Sequence, residues 1–396
     1  MRSLSIFVCL AMLSGCVQQY NPPIRKLSIN YLIVDGIIVN GQDSTVINLS
    51  RTQNITDSAF TPLAETGAIC TIIGQYRDSY TLSEQPGGRY VISSLNLNNS
   101  ESYQLQIVTT NGQKFLTDPF PVRQTPPVDS IHWQSNGQVI SYYMNTHDPA
   151  NNTKYYRWQY VATWQYHSIY PSELIYQNGM LSIRTPDQQV YNCWDSVQST
   201  DILVGTSAGL SSDVIYEHPL FSDSLMVLVY PVNIQLILPE ISQKYSVQYS
   251  VLVNQYAITE AAYNYWTNLR LNTEELGGLF SPEPSSQVSG NIHCITDTTQ
   301  PVIGYITAST VRQKRIFVSF NDLFVGGGPP DPKIGCYEFP VFPDSINFYF
   351  SYQNLFTPVS YEFRIGGALS NILAAPTYCT DCRAMGGINV KPGYWP

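Results

Sequence analysis

Leu32–Val39 reads LIVDGIIV and Thr45–Leu49 reads TVINL, and these two runs decide the fold class. Both are rich in β-branched residues, which suit a pleated sheet better than a helix. Asn40-Gly41 stands between them, and Asn-Gly dipeptides favour the tight turns of β-hairpins. The stretch therefore predicts a pair of antiparallel strands.

Similar short runs follow on the C-terminal side of this hairpin, separated by glycine-containing turns. They cover residues 68–74, 79–82, 89–92, 103–109 and 114–116. About seven short strands with no helical period between them predict an immunoglobulin-like β-sandwich over residues 27–122. Prolines crowd residues 119–127, and we interpret this segment as a domain boundary because proline cannot donate to a sheet.

Beyond the boundary, the pattern predicts a larger antiparallel β domain over residues 128–378, and Ile346–Ser351 is among its predicted strands. One clear helix is expected near residues 259–276. Thr259 can cap its first turn, and Trp266 lies on an apolar face that should pack on the second domain. The predicted fold class is mainly β, an N-terminal immunoglobulin-like β-sandwich followed by this larger domain.

The N-terminus has the features of a lipoprotein signal peptide over residues 1–15. A short apolar core ends in Leu13-Ser14-Gly15-Cys16, and the core is too short to span a bilayer. Small residues before a cysteine suit cleavage by a lipoprotein peptidase and acylation of the Cys16 thiol. The alternatives are an ordinary signal peptide with a chance cysteine, or a short anchor helix. We expect an exported protein, lipid-anchored in the outer membrane, with residues 16–26 as a tether.

Composition limits the partners. Charged residues make up 12% of the 396 residues, Tyr occurs 29 times, and the formal net charge is −9. The sequence has no cluster of Lys and Arg, so we expect no nucleic-acid partner.

The six cysteines outside the signal peptide and the lipidation site suggest disulfides, because their number is even and the chain is exported. Cys379 and Cys382 have the spacing of a zinc or redox motif, but a second ligand pair is missing and the tail, residues 379–396, is irregular. We therefore expect no metal and no cofactor. Cys336 should pair with Cys379 or Cys382 and so hold the tail. The sequence does not indicate the partners of Cys70, Cys193 and Cys294.

Catalytic motifs are weak. Gly205–Gly209 reads GTSAG and matches the serine-hydrolase pattern G-x-S-x-G, but neither the helix nor the parallel strands of that fold are predicted around it. The histidines show no metal spacing. We predict no catalytic residue, although paired carboxylates of a glycosidase cannot be recognised in a sequence because their pairing is spatial.

An aromatic strand is the candidate binding surface. Alternation puts Tyr156, Trp158, Tyr160 and Trp164 on one face of the run 155–166. Exposed rings there would form a surface for a protein partner, a glycan or a peptide, whereas buried rings would be core. The loop Gly326–Gly328 is a second candidate.

Several stretches together resemble one family. They are LIVDG at 32–36, NLSRT at 48–52, GGRY at 87–90, HDP at 147–149, YYRW at 155–158, CW at 193–194, QYAITE at 255–260, YW at 265–266, GNI at 290–292, GY at 304–305, CTDCR at 379–383, GG at 386–387 and KP at 391–392. The chain is similar to the domain-of-unknown-function 4249 family (DUF4249), exported lipoproteins of Bacteroidota.

The resemblance implies an accessory role for a TonB-dependent outer-membrane transporter, as a substrate-capturing partner, lid or scaffold, and no catalytic residue transfers from it. We expect a non-enzymatic protein. The alternatives are an exported hydrolase of glycans or peptides and a structural or adhesive lipoprotein. The acidic residues that often follow the lipid cysteine of surface lipoproteins are absent, since Val17–Asn21 is uncharged, so surface display and a periplasm-facing position both stay open.

The lipid anchor gives the first testable prediction. Replacing Cys16 with Ala removes the thiol that carries the lipid, so Cys16→Ala should move the protein from the membrane to the soluble fraction. Fractionation followed by immunoblotting measures this shift. A variant that stays membrane-bound to the wild-type degree would contradict the anchor.

Overall fold

The structure is a computed structural model that describes residues 30–53, 63–229, 238–241, 243–273, 289–324, 336–351 and 355–396. The predicted signal peptide, Cys16, the tether, Gly326–Gly328 and the predicted helix end at residues 274–276 lie outside the described residues.

The elements follow in chain order. The first strands are β1 (Leu32–Val39), β2 (Gly41–Arg51), β3 (Leu63–Ala64), β4 (Ile69–Gly74), β5 (Ser79–Thr81), β6 (Ser83–Gln85), β7 (Arg89–Leu95), β8 (Ser102–Val108), β9 (Lys114–Thr117) and β10 (Phe120–Arg123). The next are β11 (Val128–Ser135), β12 (Val139–His147), β13 (Tyr155–His167), β14 (Leu174–Gln177), β15 (Met180–Ile183), β16 (Asn192–Gln198), β17 (Leu203–Thr206), β18 (Val214–Ser224), β19 (Met226–Val229), β20 (Leu238–Ile241) and β21 (Gln248–Ala257). The last third contains α1 (Glu260–Thr273), β22 (Ile292–Cys294), β23 (Val302–Ile303), β24 (Ala308–Ser309), β25 (Val311–Ser319), α2 (Phe320–Leu323), β26 (Phe339–Val341), α3 (Ile346–Ser351), β27 (Phe356–Phe363), β28 (Leu369–Pro376) and α4 (Thr377–Thr380). Short 3₁₀ turns lie at Pro186–Gln188, Gln243–Tyr245, Pro343–Ser345 and Cys382–Met385.

The N-terminal unit is a β-sandwich built on the predicted hairpin. β1 and β2 pair antiparallel from Leu32 opposite Arg51 to Ile37 opposite Val46. Their buried residues share one apolar core with those of β4, β7, β8 and β9. The predicted fold class, mainly β with an N-terminal sandwich, is confirmed.

A segment from late in the chain completes this sandwich. β22 pairs with β9, and β24 lies parallel between β1 and β10. The sequence analysis assigned residues 128–378 to the second domain, whereas β22 and β24, which lie within that range, belong to the N-terminal sandwich. Strands of only two or three residues carry too little pattern to indicate which sheet they join.

The middle unit packs two sheets face to face. One has the order β11-β12-β18, and the other has the order β16-β13-β21-β25 with β17 also on β13. β13 is the centre, since it pairs with β21 over ten residues from Tyr156 opposite Ala257 to Gln165 opposite Gln248. The apolar core of this unit lies between the two sheets.

The C-terminal part forms a small sheet of order β26-β28-β27, with α3 beside it. The prediction of a strand at Ile346–Ser351 is wrong, because the segment is helix α3. Pro343 opens a 3₁₀ turn directly before it, and proline favours the first turn of a helix. The aromatic residues of this segment favour a strand, but the helical turn that Pro343 begins continues into α3.

Helix α1 joins the two units. The amide of Ala262 donates to Thr259 Oγ1 at 3.2 Å, which confirms the predicted cap. Trp266 packs with residues of both units, such as Ile37 of β1 and Tyr256 of β21, rather than with the second domain alone. The buried Arg157 guanidinium lies 3.7 Å from the centre of the Trp266 ring, a cation–π contact inside the joint.

One buried amide ties the linker to the middle unit. Gln255 is fully buried, and its Oε1 accepts from Trp158 Nε1 at 2.9 Å. Its Nε2 donates to the carbonyl of Pro126 at 2.8 Å and to Thr146 Oγ1 at 2.9 Å. Because each group is satisfied, the network fixes the linker against β12, β13 and β21 without leaving an unpaired polar atom on the Gln255 side chain.

Two disulfides hold the described tail. Cys336 pairs with Cys379, one of the two partners that the sequence left open, and Cys193 pairs with Cys382. The two tail cysteines therefore belong to different bridges. Cys70 and Cys294 are buried free thiols, and burial raises the pKa of Cys70 to about 12.

The Gln255 network predicts a large loss of stability on substitution. Gln255→Leu keeps the volume but leaves Trp158 Nε1 and the Pro126 carbonyl buried and unpaired, at about 1–3 kcal/mol for each group. We expect the free energy of unfolding to fall by about 3 kcal/mol or more in urea titrations.

Gln313→Leu is the matched control. Gln313 lies on neighbouring β25, and its side chain bonds Asn254 at the exposed surface. This change should stay within about 0.5 kcal/mol of wild type. Equal effects of the two substitutions would contradict the role of Gln255.

Candidate functional site

The aromatic strand predicted as a binding surface is core. Tyr156 and Trp158 are 0% exposed, and Trp164 is 8% exposed. Tyr160 is half-buried and stacks on Phe221 with ring centres 4.0 Å apart. The prediction of a docking face here is wrong, because the sheet of β11, β12 and β18 covers this face of β13.

The hydrolase-like motif is also part of the packed structure. Ser207 is fully buried, its hydroxyl donates to Asp213 Oδ1 at 3.1 Å, and Lys154 forms an ion pair with the same carboxylate. β17 ends at Thr206, and turns follow it rather than a helix. Ser207 is therefore a structural hydroxyl at this position.

Three histidines form side-chain pairs with carboxylates. His132 contacts Glu217, His147 contacts Asp129, and His293 contacts Asp118, at 3.0, 2.7 and 3.1 Å. Across the described ranges, no group of three or more His, Cys, Asp or Glu side chains could hold a metal ion. Among the helices in those ranges, none is long and apolar enough to cross a membrane.

A cleft of about 550 Å³ with a mixed polar and apolar lining opens beside the joint of the two units. Arg123, Tyr155 and Glu260 are among its lining residues. One wall is rigid because Asp148 accepts hydrogen bonds from the amides of Ala150, Asn152 and Thr153. Partial burial of Asp148 works against ionisation, but these bonds lower its pKa overall. The cleft has room for a small ligand, and Asp148, Tyr155 and Glu260 of its lining belong to the motifs HDP, YYRW and QYAITE that carry the family resemblance.

The exposed aromatic residues lie instead around the small C-terminal sheet. We name the described residues 336–351 and 355–385 the aromatic lobe. Its exposed large apolar side chains are Tyr337, Phe342, Phe348, Leu355, Phe363, Ile365, Leu369, Tyr378 and Met385. Phe339 links several rings, since its centre lies 5.9 Å from Tyr337, 5.6 Å from Tyr349 and 5.1 Å from Phe356.

Sequence reasoning missed this surface for a physical reason. An alternating or aromatic run shows which residues share a face, but not whether another element covers that face. The rings of β13 are covered by a second sheet, whereas several rings of the aromatic lobe stay exposed. The local signal available was the density of aromatics between residues 337 and 363, and by itself it equally predicts a core.

Comparison with known families identifies the chain. The profile described as "Domain of unknown function (DUF4249)" matches residues 17–315. The chain belongs to the DUF4249 family. The resemblance inferred from the sequence is thereby confirmed. The aromatic lobe and the tail motifs lie beyond the matched residues of this DUF4249 protein.

Solved structures resemble the chain only distantly. Chitinase ChiA74 from Bacillus thuringiensis is 14% identical, the match covers 47% of this chain and 30% of the chitinase, and the TM-score is 0.15. Chicken interferon gamma receptor alpha chain is 8% identical over 58% of this chain and 89% of its own, with a TM-score of 0.15. A candidate carbohydrate-binding protein from Bacteroides uniformis is 12% identical over 58% of this chain and 90% of its own, with a TM-score of 0.14. The comparison with curated proteins finds no match.

His218, packed 4.5 Å from Trp158 between ring centres, predicts a pH dependence of stability. Burial, with the charge of Arg270 adding to it, lowers the pKa of His218 from 6.5 to about 4. Between these pH values the unfolded chain binds a proton that the folded chain does not. The neutral, buried His218 therefore makes its full contribution to the free energy of unfolding above pH 6.5. This contribution is lost as the pH falls towards 4 and changes no further below that.

His218→Gln cannot take up this proton. Its loss of stability between about pH 7 and about pH 4 should be smaller than that of wild type by about 2–3 kcal/mol. Urea unfolding at the two pH values measures the difference. Identical losses in the two proteins would show that His218 does not carry the effect.

Proposed function

We propose that this DUF4249 protein is a lipid-anchored, non-enzymatic accessory of a TonB-dependent outer-membrane transporter. The accessory would capture substrate, cover the transporter as a lid or act as its scaffold. The observation that carries the proposal is the exposed aromatic surface of the lobe, where Phe342 and Phe348 are 63% and 69% exposed.

An exposed aromatic surface of this kind favours binding to a partner protein. Water disfavours exposed rings, and contiguous apolar patches on soluble monomers mark sites of interaction. Aromatic residues are enriched in the centres of protein interfaces because each ring buries a large area at little entropic cost.

The predicted lipid at Cys16 supports the same proposal. Acyl chains alone hold a protein weakly at a membrane, so a second contact is expected. A membrane-embedded partner that receives the aromatic lobe would supply that contact. The hydrolase alternative receives no support from Ser207, because that hydroxyl is buried against Asp213.

The test is co-purification from solubilised outer membranes. Tagged wild-type protein should bring down a TonB-dependent transporter. Phe342→Asp combined with Phe348→Asp puts two charges on the surface and should weaken the association by more than about 1 kcal/mol, roughly fivefold or more.

Tyr216→Asp serves as the control. Tyr216 is as exposed as the two phenylalanines but lies on β18 of the middle unit. It should co-purify as wild type does. Retention of the transporter by the double variant, or a wild-type sample without any transporter, would refute the proposal.

A further inference from the structure

An open cleft of about 710 Å³ lies on the aromatic lobe beside the disulfide of Cys336 and Cys379. We name it the tail cleft. Its main lining residues are Tyr337, Leu355, Phe356, Tyr378, Asp381 and Arg383. Aromatic walls with a few polar groups on one side are typical of sites for small ligands.

The two disulfides fix the walls of the tail cleft. Tyr337 directly follows Cys336 and Tyr378 directly precedes Cys379, and the bridge holds the Cα atoms of these cysteines 5.8 Å apart. The two tyrosines are 57% and 51% exposed. Their backbones are therefore held close together while their rings stay accessible. A covalently fixed site loses little freedom when a ligand binds.

The polar side of the cleft is a planar ion pair. Arg383 Nε donates to Asp381 Oδ1 at 2.9 Å, and Nη2 donates to Oδ2 at 2.7 Å. The backbone amide of Arg383 donates to the same carboxylate at 3.0 Å. Cys382, which stands between these residues, is bonded to Cys193 of β16. The Arg383 side chain remains 51% exposed and that of Asp381 14%, so the pair presents mainly N–H donors with one partly accessible carboxylate beside them.

This combination suits a neutral sugar. A pyranose ring has an apolar face of C–H groups that stacks on an aromatic ring, and neighbouring hydroxyls that both donate and accept hydrogen bonds. The Nη groups of Arg383 keep N–H donors that Asp381 does not use, and the Asp381 carboxylate lies beside them as an acceptor. Because the pair carries no net charge, it gives a charged ligand no advantage over a neutral one.

We propose that the tail cleft binds a neutral oligosaccharide, with a sugar ring stacked on Tyr378 or Tyr337 and its hydroxyls bonded to Arg383 and Asp381. This inference rests on the proposed function and deepens it, since it names the class of substrate that the accessory captures.

The test is isothermal titration calorimetry of the detergent-solubilised full chain with four neutral hexasaccharides: cellohexaose, maltohexaose, xylohexaose and mannohexaose. At least one should bind with a Kd below about 1 mM. Tyr378→Ala should weaken that binding about tenfold or more, while Tyr378→Phe, which keeps the ring, should bind nearly as wild type does. Arg383→Lys should also weaken it about tenfold because a point charge replaces the planar fork.

Tyr216→Ala is the matched control, since it removes an exposed tyrosine ring on β18, outside both the aromatic lobe and the tail cleft. It should bind the sugar as wild type does. Peptide mapping without reductant verifies that each variant keeps both disulfides. If Tyr378→Ala loses a bridge, the conservative Arg383→Lys and the variant Tyr337→Ala decide the question.

The proposal is overturned if none of the four neutral sugars binds, if hexagalacturonate alone binds, or if binding persists unchanged in both Tyr378→Ala and Arg383→Lys. These results are separable from the transporter test. A transporter complex without sugar binding would remove only this inference, whereas sugar binding without a transporter complex would remove the transporter role.

Discussion

One buried amide, that of Gln255, constrains how the segments of the middle unit and the linker before it are arranged. Gln255 lies at the centre of the middle unit, and its partners come from β13, β12 and the linker before β11. A buried polar group without a partner is costly, so these segments have one favourable arrangement relative to each other. The network thereby fixes the position of the linker after the sandwich. It also fixes the end of β21, and helix α1 begins three residues after that strand.

The joint between the two units follows from that placement. Because β21 ends next to β1, helix α1 starts at the junction and buries Trp266 against residues of both units. The Arg157 guanidinium is sheltered beneath this ring, where burial lowers its pKa although Asp35 and the nearby tyrosines act in the opposite direction. The return of β22 to β24 then closes the sandwich, so the late segment and the N-terminal hairpin depend on each other.

Aromatic residues have two different roles in this chain. In the middle unit a second sheet covers them, and rings such as Trp158 supply apolar area together with one satisfied hydrogen bond. In the aromatic lobe the small sheet and α3 cover only part of the rings, and disulfides rather than a large core hold the segment in position. A lobe held by covalent bonds can leave apolar side chains exposed for binding, because its position does not require their burial.

Features that depend on neighbouring residues could be predicted from the sequence. The β-branched runs around Asn40-Gly41 specify a hairpin, Thr259 specifies the start of helix α1, and family membership was recognisable from short motifs. The pairing of Cys379 and Cys382 with different partners, the return of β24 to β1, and the burial of Trp158 beside the exposure of Phe348 were decided only by tertiary structure. The physical reason is that periodicity and capping act between residues close in the chain, whereas burial and bridge pairing depend on which distant segment arrives at a given face.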